Sequence, residues 1–255
     1  MTGKPSADRT VVEVHTDPDG RRARCRTVGG ALAARILETD GKGARVALVA
    51  TRALLLAGDH VEIDFVVGPG AWLEVSEITG TVAYDADGAK SSWSLSARIA
   101  AQGSLLWDAP PFVVATGADV TRTTVVDLAP GSCAGWREAV VMGRTGETGG
   151  RIRTTTLVTT GAVPILIDEV VLGDADVDLV TLGSARVVDT ATVVGFRPPW
   201  VTEDGRSTRL ELSAPGATAR HLVTRAHESA LDETWPVWVA SVRANRGARA
   251  GEGLP

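Results

Sequence analysis

The sequence predicts a mainly β protein of stacked short strands, β-helix-like or sandwich-like, with about two helices. Three observations carry this. Val, Thr, Ala and Gly dominate the 255 residues, with 28 Gly but only three Phe and one Tyr, a mix that favours strands joined by tight turns. Several segments alternate apolar and polar residues with period two. Turn signals recur at roughly ten-residue spacing, as in sandwiches and stacked sheets. No fixed-period repeat or low-complexity linker divides the chain. It reads as a single domain, 1–255, with 1–10 and 244–255 as flexible tails.

Val11 to His15 begins the strand pattern, and Asp17-Pro18-Asp19-Gly20 is a turn signal, since Pro presets φ and Gly accepts positive φ. Arg21, Arg22, Arg24 and Arg26 follow, around Ala23 and Cys25. A solvated strand face is preferred there to a docking patch for an acidic partner. His60 to Val67 alternates Val61, Ile63, Phe65 and Val67 against polar neighbours. Gly68-Pro69-Gly70 then turns the chain and Ala71, Leu73 and Val75 alternate back, which predicts a hairpin. After the turn at Asp85 to Gly88, Trp93, Leu95, Ala97 and Ile99 form one apolar face. Leu105-Leu106-Trp107 is followed by Pro110-Pro111, which mark a loop or a sheet edge because neither donates an amide hydrogen.

Phe112–Ala115, Val120–Leu128, Trp136–Met142, Ile152–Thr160 and Val163–Leu172 read as strands, and Ala185–Val194 as another. Asp174 is placed to cap a short helix through Leu182. Phe196 to Trp200 is a loop, and Arg209–Leu212 with Ala217–Thr224 is a late hairpin. Arg225–Arg243 is the best helix candidate, started, kinked or split by Pro236.

The net charge of −5 argues against a nucleic-acid binder, which needs a basic surface. Cys25 and Cys133 are far apart, with neither disulfide-framework nor zinc spacing, and suit a reduced compartment. The first residues lack the apolar core of a signal peptide, and the longest apolar run, Val46 to Gly58, is too short and interrupted to span a membrane. A cytoplasmic, soluble protein is the expectation. No G-x-S-x-G or H-E-x-x-H occurs. The glycines at 143, 146, 149 and 150 imitate a phosphate loop, but the segment that follows is strand-like where a phosphate cradle needs a helix N-terminus.

Residues 131–150 stand apart. An apolar strand carries the charged pair Arg137-Glu138, and a glycine loop follows with Arg144 and Glu147 in it, so a hairpin with a special loop is predicted. Glu138 sits among Trp136, Val140, Val141 and Met142, where a carboxylate must face solvent or find a partner. An Arg–carboxylate pair fixing the loop is the structural reading. A polar element lining an interior path or a partner interface is the functional one. Residue physics alone favours the first.

In order, Gly58-Asp59 before an alternating strand, Val67-Gly-Pro-Gly-Ala71, Leu106-Trp107 with Pro110-Pro111 and Gly117-Ala118-Asp119, Asp127-Leu-Ala-Pro-Gly-Ser132, and Glu138-x4-Gly143-Arg144-x-Gly146-Glu147 resemble the motifs of the urease accessory protein UreD (UreH) family. The match runs from about Gly58 to Gly173. It implies a β-rich, non-enzymatic chaperone. Such a protein binds UreF, and through it the GTPase UreG, docks both on the urease apoprotein and assists nickel insertion. It implies no tightly bound cofactor, only transient Ni2+, and no nucleic-acid or membrane partner. By the same resemblance Asp59, Glu138, Arg144 and Glu147 belong to a nickel passage or partner interface, with no catalytic residue. A β-solenoid carbohydrate-active enzyme and a purely structural β-module remain as alternatives.

Overall fold

A strand that alternates apolar and polar residues has one face to bury, and this chain buries those faces by coiling. The computed structural model describes residues 8–17, 19, 21–199, 201 and 207–251. The first turn of the coil holds β1 (Arg9–Thr16) and β4 (Gly43–Ala50). Each carries an antiparallel companion, β2 (Ala23–Val28) and β3 (Leu32–Thr39) respectively. From there the strands stack in parallel. β5 (His60–Val67) lies on β1, and β6 (Trp72–Glu77) on β4. After the short β7 (Thr81–Ala83), β8 (Ser91–Ile99) lies on β5, β9 (Ser104–Asp108) on β6, and β10 (Phe112–Val114) on β7.

The next turn adds β11 (Asp119–Leu128) on β8 and β12 (Cys133–Met142) opposite. β12 spans two positions, pairing Cys133–Arg137 with β9 and Val140–Met142 with β10. β13 (Arg151–Thr160) lies on β11, and then the parallel winding stops. β14 (Val163–Leu172) folds back antiparallel on β13; after α1 (Ala175–Thr181), β15 (Val187–Val194) runs antiparallel along β12. β16 (Ser207–Glu211) and β17 (Gly216–Val223) extend that side, and α2 (Leu231–Gly251) crosses its outer face. The result is a β-solenoid with two helices. One sheet has the order β14-β13-β11-β8-β5-β1-β2, the other β16-β17-β15-β12-β9-β6-β4-β3.

Two predicted hairpins are corners instead. β5 and β6 belong to different sheets, as do β12 and β13. Gly70 and Gly143 do take the positive φ that tight turns require, 65° and 77°, but that local geometry is common to a hairpin and a corner. Pairing with the preceding turn of the coil decides between them. The late hairpin β16–β17 forms as predicted. β3 and β4 escaped the sequence reading. β4 buries Ala44, Val46, Ala47 and Leu48, so it is apolar on both faces and lacks alternation.

The tails are shorter than predicted. β1 starts at Arg9, and α2 runs on to Gly251 rather than ending near Arg243, through Ala- and Arg-rich sequence of high helix propensity. Residues 1–7 and 252–255 of those tails, Pro18 and Gly20 of the first turn, and Trp200 lie outside the described residues.

Between the sheets Phe65, Trp93, Trp107, Leu73 and Ile99 are fully buried. Edge-to-face pairs join Phe65 to Trp107 (6.4 Å) and Trp93 to Phe112 (6.1 Å). A second core lies under α2, where Leu231, Trp235, Trp238 and Val242 cover Leu106, Ala191, Val193 and Ala217. Glu74, on the outer side of β6, accepts hydrogen bonds from Arg243 (2.9 and 2.8 Å) and Arg246 (2.8 Å) of α2. Burial raises its pKa, and the hydrogen bonds and charges of the two arginines more than reverse that, leaving about 2. Trp238→Ala removes a fully buried indole from this helix interface, one that also donates to the Pro199 carbonyl (3.2 Å). A loss of about 3–5 kcal/mol is expected, read as a lower Tm in thermal unfolding; an unchanged Tm would show that α2 adds little to the fold.

Candidate functional site

The inner face of the second sheet carries Leu73, Val75 and Glu77 on β6, Leu105 and Trp107 on β9, and Ala134, Trp136, Glu138 and Val140 on β12. Ser76 pairs with Asp108, and Asp108 with Arg137. The residues one step further, Glu77, Ala109 and Glu138, therefore fall in one column, with the two glutamates two strands and roughly 10 Å apart. Ala109 fills little of the space between them. Arg122, reaching in from β11 of the opposite sheet, bonds Glu138 and faces the ring of Trp107, whose indole donates to Glu77.

Arg122 has a side chain only 4% exposed, with Nη2 2.8 Å from Glu138 Oε1. Its guanidinium lies 5.5 Å from the Trp107 ring centre and 5.2 Å from that of Phe112, within the range of cation–π attraction. Glu138 also accepts from the Trp136 indole (3.2 Å) and the Thr124 hydroxyl (3.4 Å). Glu77 accepts from the Trp107 indole (2.9 Å). Burial pushes the Glu77 carboxyl up to about 7, although the Arg122 charge and the indole hydrogen bond oppose it.

Polar groups continue from both ends of this column. Beyond Glu138 a narrow cavity of about 40 Å³ is lined by Thr154, Thr156, Thr190, Thr192 and Thr218. The Arg220–Asp168 pair (2.5 Å) lines it too and ties β17 to β14. In the other direction Glu77 lines a surface pocket of about 360 Å³ with Asp108, Arg137, Asp189, His227 and Asp232. There Arg137 donates to Asp189 (3.1 and 2.6 Å) and Asp232 (2.7 Å). Burial also raises the Asp108 carboxyl. Asp168, Arg220, Glu138 and Arg122 line the one narrow cavity, and Trp107, which Arg122 faces, links them to Glu77; these five charged side chains make up a polar file between the sheets.

Of the residues singled out in the sequence, Glu138 lies in this file. Arg144 and Glu147 lie together elsewhere, in the loop that turns β12 toward β13. Glu147 accepts from the Arg144 side chain (2.8 and 2.5 Å), the Arg144 amide (2.9 Å) and the Thr116 amide (3.4 Å). The Arg144 hydrogen bonds hold its carboxyl down at about 2. The same arginine sits 5.9 Å over Tyr84. Asp59 is in neither place: its carboxylate caps the turn before β5 by accepting from the Leu56 amide (3.1 Å). The structure pairs Glu138 with Arg122 rather than with Arg144. Glu77, Arg122, Asp168 and Arg220 went unmarked in the sequence. Arg122 was the most visible, as a charge on the apolar side of the Val120, Thr124, Val126, Leu128 alternation.

The fold and this paired interior define a β-solenoid scaffold, and no group of three or more His, Cys, Asp or Glu side chains among the described residues is placed to hold a metal ion. The family model described as UreD urease accessory protein matches residues 9–252. A relative in Streptomyces griseus subsp. griseus, Urease accessory protein UreD 1, is 43% identical over 92% of this chain and 97% of its own length. Urease accessory protein UreD of Streptomyces avermitilis is 32% identical over 79% and 82%. That of Frankia casuarinae is 35% identical over 75% of this chain and 63% of its own length. The chain belongs to the UreD family of urease accessory proteins. It is a non-enzymatic accessory protein of urease maturation, which sets aside the carbohydrate-active and purely structural readings.

Glu77 makes a pH dependence testable. Its folded pKa, about 7, lies above the ordinary 4.5. Its contribution to stability is therefore complete below about pH 4.5 and lost as pH rises through about 7. Thermal unfolding of the parent chain should show Tm falling between about pH 5 and pH 8, and Glu77→Gln should flatten that fall. Parallel curves would place the titrating group elsewhere.

Proposed function

We propose that this chain docks UreF, and UreG through it, on the urease apoprotein, and that nickel ions move along its interior polar file toward the urease active site. The observation that supports the passage is the series of charged side chains from Asp168 and Glu138, which line one cavity with Arg122, to Glu77, which lines the surface pocket. Buried charges are costly unless paired, and a fold that needed only stability would be served by apolar residues there. Carboxylate, hydroxyl and water oxygens bind Ni2+ less strongly than imidazole or thiolate clusters do, which suits transit rather than storage.

Docking has its own support at the C-terminal end of the coil. β14 and β16 are the outer strands of their sheets there. Val163 and Ile167 on β14, and Leu179 and Val180 on α1, are 62–87% exposed. Exposed apolar groups and unpaired strand edges together suit a protein partner. In this reading the Arg144–Glu147 loop and Asp59 belong to partner-facing rims. The work is cytoplasmic, in keeping with Cys25 and Cys133 carrying thiols rather than a disulfide.

Glu138→Ala would leave Arg122 buried and unpaired, at a cost of about 3–5 kcal/mol, so Glu138→Gln is the informative variant. It keeps a hydrogen-bond acceptor for Arg122 and removes the carboxylate. In a host lacking the native gene and grown on limiting nickel, Glu138→Gln should lower urease activity and the nickel content of purified urease several-fold while the variant stays folded. Glu147→Ala should lower activation through loss of the Arg144 contact, at any nickel supply. Full activation by Glu138→Gln at limiting nickel would refute the passage.

A further inference from the structure

Arg122 is at odds with a cation path. A guanidinium bonded to Glu138 within that file repels a divalent cation passing it. Its surroundings explain how that conflict is resolved. Glu138 is bonded to one side of the guanidinium. Glu77 lies in the same inward column as Glu138, two strands away, and accepts from the indole of Trp107, the ring that the guanidinium faces. Trp107 and Phe112 form flat walls at 5.5 and 5.2 Å, along which a planar group can slide without losing its stacking. The Arg122 Nε has no hydrogen-bond partner, so the guanidinium is not locked from every side. The charges facing it are Glu138 from β12 and Glu77 from the end of β6.

We propose that Arg122 is the gate of the interior file: with its charge bonded to Glu138 and set over the Trp107 ring that holds Glu77, it prevents the two carboxylates from jointly retaining a divalent cation, and it yields one of them at a time as the ion passes. The inference rests on the passage reading and adds the residue that makes it a passage rather than a trap. Two facing carboxylates with no countercharge would form a resident oxygen-donor site. One positive charge about 6 Å away, at an effective interior dielectric of about 20, lowers the affinity of such a site for a divalent cation by roughly 10,000-fold.

The test is a gain of binding, which a merely structural role for Arg122 does not produce. Full-length parent, Arg122→Gln, Arg122→Lys and Arg122→Gln/Glu77→Gln proteins are dialysed against Ni2+ and their bound metal is counted. Arg122→Gln should retain about one Ni2+ per chain, binding roughly 10,000-fold tighter than the parent. The lysine variant, which keeps the charge, and the double variant, which loses one carboxylate, should hold no more than the parent. In cells Arg122→Gln should depress urease activation at limiting nickel and recover it when nickel is raised. Arg122→Met, which fills the space without a donor, takes the place of the glutamine variant if that one does not remain soluble.

Folded Arg122→Gln or Arg122→Met protein with no more nickel than the parent would overturn the gate. If that happened while Glu138→Gln still impaired activation, the passage would stand and only the gate would fall. Nickel retained by Arg122→Gln together with full activation by Glu138→Gln would overturn both, since the site would then lie off the route.

Discussion

The parallel stacking of one turn of the coil on the next is the constraint on which the structure depends. Each strand from β5 to β13 except the short β7 pairs on both sides with other strands, and few of these contacts are local. A shift of one residue in any of these registers would turn a whole strand inside out. The register also makes columns. Residues far apart in sequence, such as Glu77 and Glu138, come to share one line along the interior because the pairings Ser76–Asp108 and Asp108–Arg137 carry the alignment through β9.

That constraint explains where charges can sit. On outward positions of the same strands, Glu74 and Arg137 find partners in α2 and beside it, and those pairs fasten the helix across the sheet. On inward positions a charge meets hydrocarbon unless another charge reaches it from the opposite sheet. Glu138 has Arg122, and Asp168 has Arg220. Glu77 keeps an indole hydrogen bond, and burial pushes its carboxyl up to about 7 against that bond and the Arg122 charge. The interior is therefore electrostatically uneven along one line, and that line runs from the surface pocket beside Asp108 to the threonine-lined cavity.

Strands with one buried face were readable because period two is written directly in residues such as Val61 to Val67 and Trp93 to Ile99. Strand β4 was not, since burial on both faces erases the alternation. The corners at Gly70 and Gly143 were recognised as turns but given the wrong neighbours, because a glycine with positive φ serves either outcome. At the site, Glu138 could be marked as a charge that needed a partner. The partner could not be named: Arg144 was close in sequence, while Arg122 was close only after β11 and β12 had been placed in opposite sheets.

The class of fold, the inward and outward faces of most strands, the family motifs from Gly58 to Gly173 and the local Arg144–Glu147 loop were all legible in the residues alone. They depend on side-chain period, turn chemistry and short-range spacing, all of which are local. The parallel register of the coil, the place of Asp59 at a turn apart from Glu138, and the pairing of Arg122 with Glu138 emerged with the three-dimensional arrangement. Those outcomes depend on which distant segments share hydrogen bonds, and no local pattern encodes that choice.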